Sequence, residues 1–214
     1  MRNRAIELAV VGALALSRAA AQTPAGPPAD FRKAAWGMSQ AQVTASESLR
    51  PRDVRQSNGE TIVEYAPVRF GGLETRLIYI FAKGKLARAK YIFEDEHSDL
   101  NLFIADYRAI DPVLLESHGK PASARAIWED DTYQDEPKSY LDQDRATPES
   151  ILPSDRQVGL SVSAGHLRLY TQWETARTRI VHALSGHDFQ IMHQLEYSSR
   201  ELEPLEKEVR AARP

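Results

Sequence analysis

The sequence contains no cysteine, which excludes disulfide bonds and lipid attachment through a thiol. The fold must therefore stand on packing alone. No run of lysine and arginine forms a nucleic-acid patch, and no basic amphipathic helix suited to a membrane surface stands out. Acidic groups do recur, at Glu94-Asp95-Glu96, Asp130-Asp131, Asp135-Glu136 and Asp142 with Asp144. None has the glycine and glutamate spacing of a twelve-residue calcium loop, so they read as solvated acidic loops. Long apolar runs are missing too: the nine residues Leu8 to Leu16 cover less than half of the roughly 30 Å hydrocarbon layer.

What that short run does fit is an export signal. Arg2 and Arg4 precede it and the small residues Ala19, Ala20 and Ala21 follow it, the order of a secretory signal peptide cleaved near Ala21. The expected location is periplasmic or secreted. Removal of residues 1–21 leaves 24 basic and 29 acidic side chains, a charge of −5. Residues 22–29, QTPAGPPA, form a Pro-rich flexible leader.

The folded part begins at Asp30. Ser39 and Gln42 make a capping box, with Met38 and Val43 placed as a hydrophobic staple, so a short helix starts here and stops before Pro51. Phe31 and Trp36 belong to an extended segment that plugs the core. Strands are expected at Thr61–Ala66, Thr75–Ala82 and Leu86–Phe93, with turns at Gly71-Gly72 and Lys83-Gly84. Leu100, Phe103, Ile104 and Tyr107 recur at helical spacing after Ser98. Asp111-Pro112 interrupts that pattern, and the preferred reading is two helices, the second capped by Asp111 and ended by Gly119. Ala124–Glu129 and Val158–Ser163 read as strands. Between them lies a long acidic loop, 130–155, with Pro137, Pro148 and Pro153. Ser198 and Glu201 suggest a capping box for a charged C-terminal helix interrupted by Pro204.

His166 to Tyr197 alternates apolar and polar residues through three runs, an antiparallel meander. Pairing Glu174 with Arg177 and Leu184 with Phe189 puts Trp173, Thr171, Leu169, Ile180, His182, Leu184, Ile191, His193 and Leu195 on one core face. The other face carries Arg168, Gln172, Glu174, Arg179, Gln194 and Glu196, with Arg177 bracketed by Glu174 and Glu196. The fold class that follows is α+β: tandem units, each a helix followed by antiparallel strands, with helices packed on one face of the sheet. Residues 30–97 form the first unit, 98–197 the second, and 198–214 the C-terminal helix.

This helix-then-strands grammar resembles that of the outer-membrane assembly lipoprotein BamE (SmpA/OmlA) and of the beta-lactamase inhibitor proteins. The Phe31 to Val43 phrase, with its Trp36-Gly37-Met38-Ser39 core, and the Gly165 to Tyr197 phrase also resemble a group of uncharacterised secreted bacterial proteins. Resemblance to the BamE-like group implies protein binding rather than catalysis. The missing cysteine departs from the lipoprotein pattern, so no lipid anchor is expected.

Sequence reading yields no catalytic constellation. Gly159 to Gly165 approaches the Gly-x-Ser-x-Gly nucleophile elbow but carries Ser163 at its fifth position. The expectation is therefore a non-catalytic exported binding protein without cofactor, its partner another envelope protein. Trp128, Tyr133 and Tyr140 flank the acidic loop as candidate partner-binding aromatics. His182 and His193, brought to neighbouring strands on the apolar face, read first as core histidines. The alternative function is a periplasmic metal-binding protein using that pair, which would need a further ligand.

Overall fold

In the computed structural model, which describes residues 28–129 and 158–212, the first helix, α1 (Gln40–Ser46), begins as its cap dictates. The Gln42 amide donates to Ser39 Oγ and the Ser39 amide to Gln42 Oε1, closing the capping box. Ahead of it Phe31 drives its ring between Tyr79, Tyr91 and Tyr197, with centroids 4.9 to 5.5 Å away. The plug expected there exists, although it is a tight turn bridged at Phe31 and Ala34 rather than a strand.

Eight strands follow: β1 (Asp53–Ser57), β2 (Glu60–Phe70), β3 (Leu73–Ala82), β4 (Lys85–Phe93), β5 (Ser123–Trp128), β6 (Leu167–Glu174), β7 (Thr178–His187) and β8 (Gln190–Ser199). They form one antiparallel sheet in the order β1-β2-β3-β4-β8-β7-β6-β5. Each half of the chain supplies four strands. The halves meet where β4 pairs with β8, Ala89 opposite Tyr197 and Tyr91 opposite Leu195. The third strand is buried on both sides over most of its length, as its uninterrupted apolar run demands.

Three expectations are corrected. The second helix, α2 (Asn101–His118), is one continuous helix with Pro112 inside it. Its buried residues Ile104, Tyr107, Asp111 and Leu114 keep helical spacing across the proline, and Pro112 itself faces solvent, where water can satisfy the carbonyl left without a partner. Asp111 is thus a core residue, not a cap. Next, Val158–Ser163 is a helix, α3, not a strand. Its Val158 and Val162 stand four apart on the face that meets Leu167, Leu169 and Leu184. Gly159 allows that docking, because a Cβ there would lie 2.4 Å from the carbonyl carbon of Leu100. Last, the C-terminal helix α4 (Glu203–Ala211) has no side-chain cap from Ser198; Ser199 Oγ accepts from the Leu202 amide, and Pro204 stands in its first turn instead of interrupting it.

The meander keeps its faces but slides its register. Trp173 lies opposite Ile180 and Glu174 opposite Arg179, with four residues in the turn. Leu184 pairs with His193 and His182 with Leu195, because β7 runs on to His187 and turns at Asp188-Phe189, both at positive φ. Slips of two and four residues leave every side chain on the side derived for it. Trp173 and Ile191 accordingly share a face. Arg177 is not bracketed by Glu174 and Glu196; it reaches Asp30 at 2.8 Å.

The core divides along the sheet. One cluster gathers Phe31, Tyr79, Tyr91, Trp173 and Tyr197. A second gathers Tyr107, Leu167, Leu169 and Leu184 beneath α2 and α3. The segment expected to be a signal peptide, most of the expected leader and the expected loop 130–155 lie outside the described residues.

Candidate functional site

Two places stand out, one inside the fold and one on it. The first is a chain of three polar side chains between α2 and the meander. His182 Nδ1 lies 2.7 Å from Asp111 Oδ1, and His182 Nε2 lies 2.8 Å from His193 Nε2. Their exposures are 1% for Asp111, 0% for His182 and 3% for His193. Both rings are clamped by aromatic faces. Tyr107 stacks on His182 at 4.1 Å and 8°, and Phe93 stacks on His193 at 3.9 Å and 16°. The Tyr107 hydroxyl in turn hydrogen-bonds Thr171 Oγ1 at 2.7 Å.

Burial decides the charge of this chain. It pulls the His182 pKa down to about 3, and it holds His193 well below the ordinary imidazole value, with His182 adding to the effect. Both rings are neutral at pH 7, so the Asp111–His182 contact is a hydrogen bond and not an ion pair. The Tyr107 hydroxyl is pushed well up by burial and by the charge of Asp111.

His193 also lines a groove of about 320 Å³ together with Arg76, Phe93, Phe103, Asp106 and Met192. Glu94, Asp95 and Glu96, read from sequence as a solvated loop, form part of its wall. A second histidine–carboxylate contact stands beside it, His97 Nε2 lying 2.5 Å from Asp106 Oδ2.

The two histidines of the metal reading are thus brought together, and Asp111 joins them from a different element. Tetrahedral ligands about 2.0 to 2.1 Å from zinc hold their donor atoms roughly 3.4 Å apart. The two Nε2 atoms instead close on each other in a hydrogen bond. Among the described residues no group of three His, Cys, Asp or Glu side chains is placed to hold a metal ion. Ser161 and Ser163, the serines of the near-elbow, are fully buried in α3.

The second place is the face of β5–β8 turned away from Trp173. Arg125 lies directly opposite Tyr170, and Tyr170 opposite Ala183. These residues, with Ile127, Arg168 and Gln172, line a groove of about 670 Å³; among the described residues its lining includes two arginines and no carboxylate, and Arg168 is ion-paired with Glu129 beside it. Tyr170 and Val181 carry it into a neighbouring groove of about 530 Å³, whose charges are mixed and which ends against α4. There Arg88 meets Glu206 of α4, Glu196 and Glu60.

Of the three candidate aromatics, Trp128 is buried at 9% exposure, opposite Leu167 in the second core cluster. Tyr133 and Tyr140 lie outside the described residues. Asp111 is hidden as a partner in the sequence because Asp-Pro carries the signature of a helix cap. Its spacing from Ile104 and Tyr107 was the available signal. Tyr170 is inconspicuous in the sequence because it stands on the polar side of β6, where alternation alone gives no reason to single it out. Compared with protein-family models, curated proteins and solved structures, the chain matches none of them.

Proposed function

We propose that this is an exported binding protein that receives an acidic segment of another envelope protein on the open face of β5–β8. The observation that carries the reading is the groove around Tyr170: two arginines, one of them shared with Glu129, a tyrosine, small and apolar side chains and, among the described residues, no carboxylate in the lining, on a chain whose formal net charge is −3. Arginine and tyrosine are the residue types that concentrate binding energy at interfaces, and an anionic partner complements this field. Across both grooves seven basic and three acidic side chains line the face.

The reading includes a division of labour in which helices cover one side of the sheet and the other is left for the partner. Supporting it, Tyr107 of α2 stacks on His182, Val162 of α3 joins Leu184 in the core, and Glu47 at the end of α1 accepts from Tyr79. The fourth helix is the exception, meeting Arg88 across the opposite side. Tandem helix-on-sheet units in the manner of BamE-like proteins agree with four strands from each half of the chain.

The test uses a photo-crosslinking side chain at position 172, on the face, and at position 187, in the exposed hairpin. Crosslinks from position 172 to acidic peptide segments, competed by poly-glutamate and lost in an Arg125→Ala/Arg168→Ala variant, are the expected result. Equal crosslinking from both positions, or crosslinking indifferent to poly-glutamate, overturns the reading.

A further inference from the structure

The buried chain has a direction, and the direction follows from hydrogen-bond bookkeeping. With both rings neutral and any carboxyl proton of Asp111 carried on Oδ1, the oxygen that faces His182, two arrangements of protons satisfy both short contacts. In one, the Asp111 carboxylate accepts from His182 Nδ1–H, His182 Nε2 accepts from His193 Nε2–H, and His193 Nδ1 keeps its lone pair. In the other, Asp111 carries a proton and donates it to His182 Nδ1, His182 Nε2–H donates to His193 Nε2, and His193 Nδ1 bears a hydrogen. The second arrangement holds one proton more than the first.

We propose that Asp111, His182 and His193 form a proton-relay site, with His193 as its acceptor on the groove side and Asp111 as its store. The ligand is the proton. On uptake a bond forms between the proton and His193 Nδ1. The Nε2–H bond of His193 breaks as its proton passes to His182 Nε2, and the Nδ1–H bond of His182 breaks as its proton passes to Asp111 Oδ1. One proton enters, nothing is oxidised, and the buried negative charge disappears.

The stopping point is set by desolvation. An imidazolium in this interior would be a new buried charge, whereas a proton on Asp111 removes an existing one. The surroundings leave the relay little competition. Toward it β6 presents Leu169, Thr171 and Trp173, and α3 has no ionisable side chain at all. From α2 the ionisable neighbour besides Asp111 is Tyr107, whose hydroxyl is held by Thr171. Among the described residues, charged groups stand at the groove end: Arg76 of β3, Glu94, Asp95 and Glu96 beyond β4, and Asp106 with His97. Stacking by Tyr107 and Phe93 holds each ring in the orientation its hydrogen bonds use, the two imidazole planes lying 40° apart.

Long-range nitrogen–proton NMR of the full chain with labelled histidine, between pH 8 and pH 4, tests the relay. The expected result is a single step in which His193 changes from the Nε2–H to the Nδ1–H tautomer and His182 from Nδ1–H to Nε2–H, neither becoming imidazolium. The carboxyl carbon of Asp111, labelled separately, should titrate at the same midpoint. An Asp111→Asn variant should hold both rings in fixed tautomers. The carboxyl measurement needs no variant and keeps the test intact if Asp111→Asn does not fold. An imidazolium at either ring, tautomers unchanged while the protein remains folded, or carboxyl and ring steps at different pH overturns the proposal.

Discussion

The indole N–H of Trp173 donates to the carbonyl oxygen of Gly119 at 2.8 Å, tying the end of β6 to the cap of α2. Gly119 takes φ 72° to end that helix, so one contact fixes both where α2 stops and how it lies on β6. Trp173→Phe keeps most of the buried area and loses the hydrogen bond, and should cost about 1 to 2 kcal/mol. Trp173→Ala, which leaves a cavity among the largest buried side chains, should cost about 3 to 5 kcal/mol. Urea denaturation followed by far-ultraviolet circular dichroism checks both.

Stability should fall with pH on the acid side of neutrality. In the unfolded chain an imidazole takes its proton near pH 6.5, whereas in the fold His182 resists until about pH 3 and His193 is depressed in the same direction. Between those limits the unfolded state binds more protons, so stability present above about pH 6.5 is lost as pH drops toward 3. The loss is on the order of a few kcal/mol. Replacing Asp111, His182 and His193 together by leucine should flatten this part of the profile, as measured by melting temperature against pH.

Gly159→Ala should damage the packing of α3 severely. The added methyl group would stand 2.4 Å from Leu100 C and 2.6 Å from Asn101 N, and those backbone atoms cannot swing aside as a side chain can. A cost of about 3 kcal/mol is expected, read as a shift in the denaturation midpoint at unchanged slope.

Pro112→Ala should act the other way. Proline inside a helix costs about 3 kcal/mol relative to alanine, and the stiffer unfolded chain returns somewhat less than 1 kcal/mol of that. Because Pro112 is exposed, the substitution disturbs no packing, and a gain of about 2 kcal/mol is expected in the same denaturation assay.

The parts of the fold legible in sequence were those written in local chemistry. The Ser39–Gln42 box, the Lys83-Gly84 turn and the alternation of the meander all depend on residues a few positions apart, and each led to the right element. Asn58-Gly59, at φ 46° and 80°, joins β1 to β2 as a two-residue hairpin, and this dipeptide is the strongest short hairpin signal there is. It went unread because β1 is exposed along its whole length and shows no apolar alternation. Val158–Ser163 misled for the opposite reason: its Val-Gly-Leu-Ser-Val-Ser alternation imitates a strand, and only the contact of Gly159 with the start of α2 reveals why it coils. The register slips came from turn length, which a hydrophobic pattern of period two cannot measure in steps of two residues.

The candidate site was half legible for a related reason. Alternation put His182 and His193 on one face, but the carboxylate that completes the chain comes from 71 residues away in sequence, across a helix whose continuity the proline concealed. No spacing rule spans that distance.

The seam between β4 and β8 sets the order in which this molecule can be assembled. Ala89 waits for Tyr197, about a hundred residues downstream, so the pairing that joins the two halves closes a long loop and is costly in chain entropy. During synthesis β4 has no neighbour on that side until almost the whole described chain has been made. A polypeptide wired this way keeps the central seam of its sheet open until late in its synthesis, and an unpaired central edge is where another strand could add in the meantime.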